Sequence, residues 1–329
     1  MENSNTLNIF LERAGKYHPL YGGGLATHIP MVLTALDALG APQNKLEQIF
    51  NQSIDNLDQI GSLENVKAFD DVESELGNNK SYLRYLKYFQ NQLVNHSSQE
   101  VLKKALPILL PGIAASAFHG LIRLAYAIEA NCKSEIAVAL AYWSAEFQSF
   151  ELVEETTDES LEDILSRLSP LGEGFEFSQG IIVNRMSEIG AVLKSNGEFI
   201  QPQNIDLETL KAFTLKLFYL QNDFTLLHTV TGCHAFSVIL PYIDNEEFAL
   251  KELWKAILVA YLSTGLKFVN TEVKTDSCDY EFAPILDEAL IAEDSHTIKL
   301  IYSSYCEYQK IPNPLYFLVA QRAAFKGRG

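Results

Sequence analysis

Four histidines stand on four separate apolar stretches of this chain, and a lysine follows the last of them by one helical turn. They are His28 in GGLATHIPM, His119 in SAFHGLIRLAY, His228 in DFTLLHTVTG, and His296 with Lys299 in DSHTIKLIY. The flanks are apolar, so each imidazole is expected to face a packed interior. A hydrogen bond in a core accounts for any one of them. Four from distant segments ask for a shared partner, and a transition-metal ion is the simplest, because neutral imidazole is a common protein ligand for such ions.

The neighbours of each histidine sharpen this. A helix starting near Ile113 would set Ser116, Ile122, Arg123 and Tyr126 on the His119 face and an apolar stripe of Ala117, Leu121, Leu124 and Ile128 opposite. The His228 face carries Thr225, Thr231, Gly232 and Ala235. Small and polar surroundings suit a lined cavity better than a dense core. His28 follows Thr27, a candidate N-cap. His296 and Lys299 are three residues apart, hence neighbours on one helical face near its start. The positive partial charge of a helix N-terminus disfavours both imidazolium and ammonium there. Two accounts of Lys299 stay open. It is an ordinary lysine reaching for water, or a desolvated amine that captures carbon dioxide as an anionic carbamate.

The elements that must position these groups are helices. IPMVLTALDALG, SYLRYLKYFQNQLV, SSQEVLKKAL, SEIAVALAYWSAEFQSF, TDESLEDILSRL, LETLKAFTLKLFYLQ, EEFALKELWKAILVAYLSTGLKFV and PLYFLVAQRAAF repeat apolar residues at helical spacing beside the histidine segments. Roughly a dozen helices and no clear alternating strand exclude doubly wound α/β folds and the (β/α)8 barrel. The expected fold class is all-α. It is a single large helical domain over residues 1–329, with the site in a cavity between facing helices. Residues 269–282 read as a long loop.

The 329-residue chain is 47% hydrophobic, enough for a large core, and its formal net charge is −17. That charge repels nucleic-acid phosphates and anionic lipid. No stretch of 18 or more residues is continuously apolar, and the N-terminus has no signal-peptide pattern. A cytoplasmic protein without membrane or nucleic-acid partners is expected. Cys132, Cys233, Cys278 and Cys306 are too few and too scattered for a disulfide framework and read as reduced thiols. The acidic stretches Asp55 to Glu75 and Glu151 to Glu162 read as solvated surface.

Several familiar chemistries have no sequence support. YGGGLATH lacks the spacing and the preceding strand of a dinucleotide site. There is no Walker lysine, HExxH, GxSxG or HxH. His234 is six residues after His228, so on one helix the two point about 120° apart. His18 and His234 are read as pocket-lining candidates without ligand roles.

Four blocks in order, YHPLYGGGLATHIPMVLTALDALGA, AFHGLIRLAYAIEA, DFTLLHTVTGCHAFSVILPYI and DSHTIKLIYS, resemble those of the questin oxidase family. The resemblance implies oxygen chemistry on aromatic polyketides: a Baeyer–Villiger-like opening of an anthraquinone ring, with molecular oxygen as co-substrate and a small aromatic molecule as partner. It implies Fe(2+) held by His28, His119, His228, His296 and a Lys299 carboxylated by CO2. Where fungal members carry more histidine in the first block, this chain has GGGLAT. Arg123 and Tyr126, on the His119 face, are candidate catalytic residues that would orient a phenolate or carbonyl oxygen. Two other functions fit the same residues: a zinc-type hydrolase or lyase, and a non-catalytic binder of aromatic ligands.

Overall fold

The computed structural model describes residues 2–275 and 280–326. Fifteen α-helices stand against four strands of five residues or fewer among the described residues, so the fold is all-α. Helices α1 (Glu2–Ala14), α2 (Ile29–Ala38) and α3 (Gln43–Ser53) form one end. A middle layer follows: α4 (Tyr82–Asn95), α5 (Ser98–Leu109), α6 (His119–Glu129) and α7 (Lys133–Ala145). Next come α8 (Leu161–Glu173), α9 (Ile182–Asn196), α10 (Leu207–Gln221), α11 (Phe224–Ile239) and α12 (Glu246–Leu262). The chain closes with α13 (Ala283–Ile291), α14 (Ser295–Lys310) and α15 (Pro314–Ala324). One apolar cluster runs from Leu7 to Val319, and a small satellite of Phe282, Ile285, Ala289, Ile301 and Ala320 ties α13, α14 and α15 together.

Local chemistry explains the helix starts. Ser97 and Ser160 each form a capping box, with Glu100 and Asp163 reaching back to the cap. Asp206, Asp223, Asp294 and Asn313 accept from the first backbone N–H groups of α10, α11, α14 and α15. Four helices then close a ring of contacts: α2 on α6, α6 on α11, α11 on α14, and α14 back on α2. Each carries one of the four histidines.

Three expectations need correction. The central histidine helix begins at His119, not near Ile113, because Ser116, Ala117 and Phe118 all take left-handed backbone angles. A buried Phe118 ring holds that turn against α11, where Gly232 leaves room: a Cβ there would stand 3.3 Å from the ring. His28, not Thr27, occupies the cap position of α2. And short strands do occur. β1 (Leu20–Tyr21) and β2 (Leu25–Ala26) form a hairpin whose turn, Gly22 to Gly24, has positive φ throughout, which is why glycines are needed there. β3 (Val153–Thr157), inside the acidic stretch, pairs in parallel with β4 (Phe199–Pro202). Trp254 of α12 donates to the Ile200 carbonyl and fixes β4 to the core.

Among the described residues one segment, Phe224–Tyr242, is long and apolar enough to cross a membrane; 72% of its apolar window is buried within the protein. It contains α11, the helix that carries His228 into the core. Cys132, Cys233 and Cys306 are free thiols, and Cys278 lies outside the described residues.

Candidate metal centre

All four histidines sit within the first two turns of their helices. His28 caps α2, His119 opens α6, His296 is the second residue of α14, and His228 lies one turn into α11. The positive ends of four helix dipoles therefore converge on one place. The rings meet there. His28 stacks on His119 at 4.9 Å between centroids, and His296 stands edge-on to His28 at 4.5 Å. His228 lies 4.8 Å from His119 and 5.4 Å from His296. Donor atoms of His28, His119 and His296 all lie within 4.8 Å of one another.

Hydrogen bonds fix which nitrogen faces inward. His119 Nδ1 donates to the Ser116 carbonyl at 2.6 Å, and His228 Nδ1 donates to the Phe224 carbonyl at 2.8 Å. A carbonyl oxygen can only accept, so both rings keep their second proton off and present an Nε2 lone pair. His296 Nε2 is buried with no partner, while its Nδ1 stands 3.6 Å from the Asp294 carboxylate. His28 Nδ1 lies 2.7 Å from the Ser295 hydroxyl, and its Nε2 lies 2.9 Å from His119 Nε2. Holding the outer nitrogen with an oxygen so that the inner one is free is the usual arrangement around a metal-ligating histidine.

Electrostatics keep the set neutral. Burial, reinforced by Lys299, lowers His28 well below its ordinary value and takes His119 down to about 3. Burial and the neighbouring groups lower His228 well below its ordinary value. Burial also lowers His296, against the pull of Asp294. Lys299 is 1% exposed and forms no ion pair with a carboxylate among the described residues. Burial brings its amine down to about 7, with Asp294 opposing. An amine about half of which is neutral near pH 7, among neutral imidazoles at the positive ends of the helices, supplies lone pairs and almost no negative charge. That donor set fits a cation.

A cavity of about 430 Å³ opens onto the imidazoles. Its walls are apolar, from Leu25 and Ala26 of the hairpin, Ile181, Ile182 and Val183 at the start of α9, and Phe224. Polar groups are few: Tyr21, Ser116 and Arg185 beside the histidines. The Phe224 ring stands edge-on to both His228 and His296. A second cavity of about 390 Å³ lies behind His28, lined by Tyr21, Thr27, Gln52 and Ser295 among others.

The structure thus gathers His28, His119, His228 and His296 with Lys299 behind them. It leaves the two candidate catalytic residues outside the cavity. Arg123 is 1% exposed and closes on Glu135 of α7, with Nε 2.6 Å from Oε1. Tyr126 is buried against Tyr302 at 5.6 Å, two turns beyond His119 along α6. The reason is distance along the axis: Arg123 and Tyr126 share the His119 face but stand one and two turns further down α6, where those turns lead away from the site into the core. His18 and His234 do not line the cavity either. His18 accepts from the Leu20 backbone N–H and lies against Tyr82, and His234 bonds Glu307. Arg185, Phe224 and the 181–183 wall were not legible beforehand.

No curated protein matches the chain. The questin oxidase-like family matches it over residues 25–182 and 217–304, most of its length and every histidine and lysine of the cluster. The chain belongs to the questin oxidase-like family, a family named for an oxidase, and is read on that ground as an oxidoreductase.

Proposed function

We propose that this chain is a non-haem iron oxygenase that opens a ring of an aromatic polyketide, such as an anthraquinone, in a Baeyer–Villiger-like reaction with molecular oxygen. The observation that carries the reading is the convergence of neutral imidazoles, their Nε2 lone pairs turned to one point, on the floor of an apolar cavity. His28, His119, His228 and His296 would hold the ion, with a carboxylated Lys299 as fifth ligand. Bound iron would supply one-electron chemistry with dioxygen, which no side chain in the cavity offers.

Charge is the argument for the carbamate. Four neutral rings and four helix N-termini give a divalent cation no anionic partner. The neutral Lys299 nitrogen can attack the carbon of CO2; a C–N bond forms, one N–H proton leaves to solvent, and an anionic carbamate oxygen remains. With 13C-labelled bicarbonate, a carbamate resonance is expected in the metal-loaded wild type and absent from Lys299→Met.

The chain's other contributions are positional. The apolar walls exclude water and seat a flat ring system, and Phe224 covers two of the imidazoles. Ligand number favours iron over zinc, since five protein ligands would crowd a Zn2+ ion, which prefers four in total.

The test is metal analysis on anaerobically purified protein, followed by oxygen uptake with a panel of hydroxyanthraquinones. About one iron per chain and quinone-dependent uptake are expected. Zinc without uptake supports a hydrolase or lyase instead, and absence of any metal supports a binding protein.

A further inference from the structure

Arg185 is the one arginine among the described residues whose charge has no answering group. Arg84, Arg123 and Arg167 are met by carboxylates, Arg322 donates to backbone carbonyls, and Arg13 lies over aromatic faces. Arg185 lines the cavity that opens onto the imidazoles, and its Nε is buried with no hydrogen-bond partner. A buried guanidinium N–H left without an acceptor is costly and asks for a partner, and here the open cavity in front of it is where one would come from. The walls around it are otherwise Ile181, Ile182, Val183 and Leu25. An acceptor that reaches it must therefore come on a molecule whose remainder is apolar. The overall charge of −17 makes a local cation more telling, since the chain as a whole repels an anionic ligand.

We propose that Arg185 is the substrate's anion anchor: its guanidinium binds a phenolate or carboxylate oxygen at one edge of a polycyclic aromatic ligand and sets the opposite edge over the imidazoles. This rests on the aromatic-substrate reading given above and specifies it. The planar fork of arginine suits a carboxylate or a phenolate flanked by a carbonyl, where two acceptor oxygens lie side by side. Position in the chain bears on what the residue decides. The cluster residues all fall within the stretches matched by the family, 25–182 and 217–304, whereas Arg185 falls between them. The ion-binding floor is the shared part, and the anchor selects this chain's own substrate.

The experiment uses the full chain without added metal, so it is independent of turnover. Affinities are measured by fluorescence quenching for anthraquinone-2-carboxylate and for its uncharged methyl ester. Wild type is expected to prefer the carboxylate. Charge-assisted hydrogen bonds of this kind contribute enough that Arg185→Gln should bind the carboxylate about 10- to 100-fold more weakly, with the ester unchanged. Arg185→Lys should restore part of the preference, which a purely structural role would not produce. A wild type that binds both quinones without preference overturns the anchor, as does an Arg185→Gln that keeps the wild-type preference; either leaves the aromatic-substrate reading standing. A wild type that binds neither overturns both together.

Discussion

Helices α11 and α14 each contribute to two buried histidine clusters, and the two differ in one respect. His228 and His296 join the cluster at the cavity floor, where among the described residues only Asp294, 62% exposed, brings a carboxylate near an imidazole. Further along the same helices, His234 bonds Glu307 at 2.8 Å, and Glu307 also takes Lys211 at 2.7 Å and Lys310 at 2.9 Å. Burial opposes ionisation of Glu307, but His234, Lys211 and Lys310 outweigh it and hold the carboxyl well below its usual range. The second cluster carries its own buried counter-charges, with His234 Nε2 left 3.8 Å from Glu129 and without a hydrogen-bond partner. The first has no buried counter-charge and its imidazoles stay neutral, which is the state in which imidazole ligates. Buried polar groups must be paired or neutral; pairing yields a brace between helices, and neutrality yields a site for a cation.

Acid should separate the two clusters most strongly. Below about 6.5 the unfolded chain takes up protons at the floor imidazoles, while the folded chain, whose values are lowered, does not. Stability present above that pH is therefore lost as pH falls, by up to about 1.4 kcal/mol per pH unit for each imidazole that stays neutral in the fold. Glu307 acts in a lower window. Its folded value is depressed, so its contribution is full above about 4.5 and drains away only below that. Denaturant unfolding of metal-free protein from pH 7.5 to 4 should show a small fall down to about 7 from Lys299, protonated in the unfolded chain before it is in the fold, and a steeper loss below about 6.5 from the imidazoles. A flat profile down to pH 5 would mean that the floor imidazoles accept protons in the fold.

Deleting one member of each cluster sharpens the contrast. Glu307→Ala strands Lys211, which is 6% exposed, with only the exposed Glu208 for company. A loss of about 3 kcal/mol is expected, the low end of the range for breaking a buried pair, with iron content unchanged. His228→Ala should do the opposite. Iron per chain falls towards zero, and the apoprotein loses stability at pH 7.5 but less on acidification, since one imidazole fewer resists protonation. If Glu307→Ala lost its iron and His228→Ala kept it, the assignment of the two clusters would be reversed.

Much of the floor was visible in the sequence because its ligands announce themselves: histidine and lysine inside apolar helical periodicity, with aspartate caps marking α11 and α14. What was hidden lies in the irregular backbone and in neighbours far away in the chain. Nothing in SAFHGL signals three consecutive left-handed residues, and a shared helical face does not reveal that Arg123 is met by Glu135 and Tyr126 by Tyr302, one and two turns beyond the site. The cavity wall was missed for another reason. α9 opens on the β-branched residues Ile181, Ile182 and Val183 and contains Gly190, all weak helix formers. Packing against Phe150 and α12, rather than local preference, makes it a helix, so Arg185 could not be placed against histidines reached only through the fold.

The smallest expected effect concerns how firmly the floor is held. His119 and His228 are oriented by backbone carbonyls that no substitution removes, but His28 depends on the Ser295 hydroxyl. Ser295→Ala leaves the ring in place, since His28 remains packed between His119 and His296, but frees its Nδ1 to choose either tautomer. Loss of one such oxygen around a ligating histidine weakens metal binding about 10- to 100-fold. With three other imidazoles and Lys299 intact, the lower end is expected here. Titration with Fe(2+) under nitrogen reads it directly, and Ser295→Thr, which keeps the hydroxyl, should recover most of the loss. Equal affinity for the alanine and wild-type proteins would show that His28 is held by its stacked neighbours alone, and that a hydroxyl at this position orients nothing.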